Sequence, residues 1–135
     1  MSTVYISAKF VPGNVEVKAL QSWFQRHGYQ CAYDWTAHPV ERPFTGQDKT
    51  VTAAEAMITA ASSSDLFVLI LTDDLVEAPV ELCAALATAS ITNGDLPGIY
   101  IVGTPEQREG SIFYHHPAVN WCNNLGELLA TIEQA

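Results

Sequence analysis

Glu81 stands in the stretch Leu75-Val-Glu-Ala-Pro-Val-Glu-Leu82-Cys-Ala-Ala85, shortly after a long apolar run. Proline is favoured in the first turn of a helix, where its missing N–H has no partner to lose. Taking Pro79 as the first helical residue makes Glu81 the third. A carboxylate there faces the positive end of the helix dipole, which favours its charge. Such a group can attack an electrophilic carbon, or it can simply cap the helix.

Other chemistry-bearing residues cluster where loops follow apolar stretches. The first loop offers Ser7, Lys9 and Phe10, and the second offers Asp34, Trp35, Thr36 and His38. The third carries Thr72, Asp73 and Asp74 ahead of Glu81, and the long stretch after Gly103 carries Phe113, Tyr114, His115 and His116. Aromatic walls stack on flat bases, and carboxylates accept from sugar hydroxyls and base N–H groups. Each has a plainer reading too. Trp35 and Phe113 fit the edge of a core, Asp73 fits a helix cap, and Lys9 fits a solvated lysine. His115-His116 before Pro117 fits a surface turn, and with no third ligand at suitable spacing no metal site is expected.

The elements that must position these groups are read from periodicity. Val4 to Ala8 reads as a strand. Asn14 is a good N-cap for a helix carrying Val17, Leu20 and Phe24, and Gly28 ends it. Gln30 to Tyr33 reads as a second strand, followed by a long polar loop from Asp34 to about Val51. Thr52-Ala-Ala-Glu55 reads as a capping box opening a helix to about Ser62. Leu66-Phe-Val-Leu-Ile-Leu71 is a continuous apolar run, as for a strand buried on both faces. The Glu81 helix runs to about Ile91, Gly98 to Val102 is a fourth strand, and Ala118 to Trp121 a short fifth. Asn124-Leu-Gly-Glu127 starts the last helix. This alternation predicts a single α/β domain over residues 1–135. Its core is a doubly wound parallel sheet of about five strands, flavodoxin- or Rossmann-like, with helices on both faces. There is no Gly-rich phosphate fingerprint, because Phe10-Val-Pro-Gly-Asn14 holds one glycine. Ligands of such sheets bind outside the carboxyl ends of the strands, where Glu81 falls.

Composition narrows the function classes. Fifteen acidic residues face six basic ones, a net charge of −9. The basic residues are scattered, so a nucleic acid polymer and an acidic membrane are both disfavoured as partners. No apolar run approaches the ~20 residues that span a bilayer. Met1-Ser-Thr-Val-Tyr-Ile-Ser7 lacks a basic region and a cleavage site, so no signal peptide is expected. Cys31, Cys83 and Cys122 are odd in number and lie in apolar surroundings, which predicts buried free thiols in a reducing, cytoplasmic compartment.

Val4-Tyr-Ile-Ser-Ala-Lys-Phe10, Tyr33-Asp-Trp-Thr36, Ser64-Asp-Leu-Phe-Val-Leu-Ile-Leu71 and Val80-Glu-Leu-Cys-Ala-Ala85 occur in that order. With Ser111 to Val119, they make the chain resemble the nucleoside 2-deoxyribosyltransferase-like family, which includes nucleoside 5′-monophosphate N-glycosidases. The resemblance covers nearly the whole chain. It implies that Glu81 attacks the anomeric carbon of a nucleoside or its monophosphate, and that a second base or water then resolves the glycosyl-enzyme. Asp73 or Asp74 is the nearest acid for the leaving base. The resemblance implies no cofactor and a homodimer or larger homo-oligomer. The alanine-rich stretch Ala84 to Ala89 offers a packing face for that assembly.

The chain departs from the family in two places. Glycines usual just before the glutamate are replaced by Ala78-Pro79-Val80, and Met57 stands where many members hold an acidic residue. These departures favour a second reading, a non-catalytic nucleotide-binding or interaction module on the same fold. A third is a TIR-like domain that cleaves NAD. On the first reading, Glu81 lines the main pocket with Tyr5, Asp73 and an aromatic from the second or last loop.

Overall fold

The computed structural model describes residues 2–9, 14–38, 40, 48–72 and 78–134. Five strands form one sheet in the order β2-β1-β3-β4-β5. They are β1 (Ser2–Ser7), β2 (Tyr29–Cys31), β3 (Leu66–Ile70), β4 (Gly98–Val102) and β5 (Val119–Cys122). Every pairing is parallel. The helices are α1 (Val15–Arg26), α2 (Asp48–Ser63), α3 (Val80–Ile91), α4 (Pro105–Arg108) and α5 (Leu125–Gln134). This is the doubly wound α/β sheet expected from the alternation of elements.

Strand β3 is central, and Phe67, Val68 and Leu69 are fully buried, as a strand covered on both faces requires. α1 lays Val17, Leu20 and Phe24 on the sheet, each burial stabilising by about 1.5–3 kcal/mol. Oδ1 of Asn14 accepts from the Val17 N–H and caps the helix. Gly28, with φ +87°, turns the chain out of it. α1 and α5 share one face of the sheet, where His27 Nε2 stands 3.5 Å from Glu133 Oε1. α3 packs along α2, and right-handed crossovers put that pair on the opposite face.

Several expected boundaries move. α2 begins at Asp48, so Thr52 and Glu55 lie inside it and form no capping box. The pattern of a capping box arose there by chance within a longer helix. Pro79 is the N-cap, with φ −71° and ψ 157°, so Glu81 is the second residue of α3. Proline fixes φ alike at both positions, and only ψ separates them. The stretch after Gly103, to which the sequence reading assigns no helix, holds two short helical turns. Thr104 and Gln107 form a capping box over α4 with Pro105 at its first position. Ile112–His115 form a 3-10 turn. The thiols also differ from expectation, because Cys122 is buried and Cys31 half-buried but Cys83 is exposed.

Candidate functional site

Strand β1 sits between β2 and β3, so the chain leaves it in opposite directions, and its carboxyl end is the switch point at which ligands of such sheets bind. Tyr5 and Ser7 are two residues apart on β1 and therefore point to the same face. Both reach the first turn of α3. The Ser7 hydroxyl donates to Oε2 of Glu81 at 3.0 Å, and the Tyr5 hydroxyl stands 3.5 Å from the same oxygen. Tyr5 and Ser7 are buried, whereas Glu81 is half-exposed. Oε1 of Glu81 accepts no hydrogen bond among the described residues. One carboxylate oxygen is thus anchored to β1.

Burial pushes the Tyr5 phenol far above its ordinary value, and the charge of Glu81 and the hydrogen bond to it push the same way. Tyr5 therefore remains a donor through the neutral range. The phenol of Tyr33 adds to this shift, which places it near Tyr5. Tyr33 stacks on His38 with ring centres 5.6 Å apart. The two rings border a cleft of about 390 Å³ that Asp48, Lys49 and Thr52 close from the start of α2. A shallower cleft continues along α2 past Glu55 and Thr59. Glu81 lines neither of these two clefts; the pocket expected to join it to Tyr5 and Asp73 includes residues outside those described.

The remaining expected site residues divide sharply. Trp35 is not a stacking platform but a core residue, 2 % exposed, and its Nε1 donates to the Ile6 carbonyl at 2.8 Å. The neighbouring carbonyl of Val4 accepts from Ala32 on the β2 side, and Ile6, two residues on, points the same way. β2 stops at Cys31, so the indole supplies the donor the strand no longer provides. Asp34 is turned onto its own loop. Its Oδ1 accepts from the Thr36 N–H and hydroxyl and from Gln21 Nε2. Burial alone would raise the Asp34 carboxyl, but these hydrogen bonds and the charge of Lys18 outweigh it and hold it low.

Phe113 is exposed on the 3-10 turn before β5, and His115 Nε2 donates to the Arg108 carbonyl at 3.0 Å. No contact joins either residue to Glu81 among the described residues. Lys9 is exposed just beyond β1. Phe10, Asp73 and Asp74 lie outside the described residues. Met57, at the position where the resemblance implies an acidic residue, packs half-buried against the core.

The alanine face expected to support assembly is used within the chain. Ala85 and Ala89 are buried against the core and Ala84 packs beside them. No group of three histidine, cysteine or acidic side chains among the described residues could hold a metal ion. No described helix is long and apolar enough to cross a membrane. Compared with models of known families and with curated proteins, the sequence has no match.

Proposed function

We propose that the protein cleaves or transfers the N-glycosidic bond of a nucleoside or nucleoside monophosphate, ribo or deoxyribo, with Glu81 as nucleophile. The observation that carries this reading is the hold of Ser7 and Tyr5 on one oxygen of Glu81 at the sheet's switch point. Oε1 attacks the anomeric carbon as the carbon–nitrogen bond breaks, and the electron pair departs with the base. The base takes a proton from an acid, the role the resemblance gives to Asp73 or Asp74. Water then releases the sugar, or a second base accepts it. Ser7 and Tyr5 position the carboxylate and spare it reorganisation during the attack.

A small-molecule nucleoside or nucleotide is the partner on this reading. A cytoplasmic setting fits three thiols that are all free, one of them exposed. The homodimer rests on the resemblance alone, now that the alanine face is occupied within the chain. Light scattering at high concentration tests it, and a monomer mass removes it.

The test of function is a panel of nucleosides, nucleoside monophosphates and NAD, with free base followed by chromatography. Base release from nucleosides or their monophosphates is the expected result. Release of nicotinamide alone would favour the TIR-like reading. No release across the panel would favour a binding module, the reading to which Ala78-Pro79-Val80 ahead of Glu81 already lends weight.

A further inference from the structure

Three residues packed together beside β5 each carry a buried hydrogen-bond donor with no acceptor among the described residues. The Tyr114 hydroxyl, Trp121 Nε1 and Arg108 Nε are each sealed from solvent, and none has a hydrogen-bond partner among the described residues. The rings of Tyr114 and Trp121 lie 5.8 Å apart, and Cζ of Arg108 stands 5.5 Å from the centre of the Trp121 ring. Tyr114 is 0 % exposed, and Trp121 and Arg108 are half-buried. Buried polar groups are nearly always paired, so three unpaired ones in a single cluster call for a common cause.

The chemistry of the cluster is one-sided. An indole N–H and a guanidinium only donate, and a phenol can join them as a donor. Arg108 also has no counter-charge in contact among the described residues. Glu106 and Glu109 flank it, yet it forms no ion pair among the described residues, where the ion pair found joins His27 and Glu133. A guanidinium with no ion pair among the described residues is unexpected in a chain with fifteen acidic residues and six basic ones. What satisfies all three donors and the charge together is an oxygen-bearing anion.

We propose that Arg108, Tyr114 and Trp121 form an oxyanion site that takes the phosphate or carboxylate group of a small ligand. Arg108 is the gate. Its guanidinium rests over the Trp121 ring by cation–π attraction, and on binding it tilts to pair with the anion, opening the indole N–H and the phenol O–H beneath. The Arg108 backbone stays fixed, because its carbonyl accepts from His115 Nε2, next in sequence to Tyr114. Gly103 keeps the floor tight. A Cβ there would come within 3.1 Å of Trp121 Cζ2 and 2.9 Å of Gln107 Oε1. The cluster lies two strands from β3, roughly 10 Å at the usual strand spacing, and it stands whether or not Glu81 is a nucleophile.

Indole N–H resonances report the site directly. The protein is titrated with inorganic phosphate and separately with acetate, with ionic strength held by chloride and the Trp121 signal assigned through Trp121→Phe. The Trp121 resonance is expected to move saturably with at least one of the two anions while those of Trp23 and Trp35 stay. Response to phosphate alone marks a phosphate site, and response to acetate a carboxylate site. Arg108→Met keeps the stem over the ring but removes the fork and the charge, and it should weaken binding about tenfold or more. Should that variant fail to fold, Arg108→Lys keeps a point charge without the planar fork and should weaken binding in the same direction. The wild-type melting temperature should rise with the bound anion beyond the chloride control. A Trp121 signal that moves with neither anion, or equal affinity in the wild type and the arginine variant, would overturn the proposal and leave bridging water as the partner of the three donors.

Discussion

The Ser7 hydroxyl and Oε2 of Glu81 lie 3.0 Å apart, joining the last residue of β1 to the first turn of α3. Seventy-four positions separate the two in sequence. The bond therefore reports the convergence of two strand ends rather than a local cap. Pro79, the N-cap, makes no side-chain bond, and among the described residues the Glu81 carboxylate is oriented by Ser7 and Tyr5.

Ser7→Ala should loosen Glu81 without unfolding the protein. A hydrogen bond from a hydroxyl to a charged carboxylate contributes about 1.5–3 kcal/mol. On the glycosidase reading, kcat should fall roughly tenfold while KM changes little, because the carboxylate is mispositioned for attack rather than removed. Steady-state kinetics on any substrate found in the panel checks this. A loss confined to KM would point to direct contact between Ser7 and substrate.

Tyr5 should govern part of the alkaline limit of stability. Its folded value is raised above the ordinary 10.0, so the folded state holds the proton where the unfolded chain has lost it. Stability is then complete below about pH 10 and falls as pH rises toward the folded value, by up to ~1.4 kcal/mol per pH unit for one proton. Tyr5→Phe should flatten this limb. Urea unfolding between pH 9 and 11 measures it, and an unchanged slope in the variant would assign the effect to Tyr33, Tyr100 and Tyr114, which burial also raises.

Trp35→Phe should cost stability and leave ligand binding alone. It strands the Ile6 carbonyl and opens space in the core, a loss of roughly 2–4 kcal/mol. A urea midpoint within error of the wild type would mean that the indole bond to Ile6 contributes nothing.

The sheet was readable because its signals are local and agree with one another. The apolar run over Leu66 to Leu71, the Asn14 cap, Gly28 and the Asn124 start all fall where the structure has them. The start of α2 was hidden, because Thr52-Ala-Ala-Glu55 imitates a cap inside a helix already under way. The short α4 has a legible signal in Thr104-Pro-Glu-Gln107, a proline-led capping box. At the site, the topology brought Glu81, Ser7 and Tyr5 together as the order of strands required. Side-chain direction was not legible. Trp35 turned inward to complete the hydrogen bonding of β1, and Asp34 turned onto its own loop. Arg108 and Trp121 are not legible as a pair, since a lone arginine and a strand tryptophan carry no pattern until the fold brings them together beside Tyr114.

Free-base release by wild type and Glu81→Gln at matched substrate concentration tests the central claim most directly. Glutamine keeps the shape of the side chain and can still accept from Ser7, but it is no nucleophile. The account predicts a folded variant that binds the nucleoside or nucleotide and turns over at least about a thousandfold more slowly, on the order of 4 kcal/mol of barrier. Equal rates in the two proteins would contradict it and leave Glu81 a helix-start carboxylate with no part in chemistry.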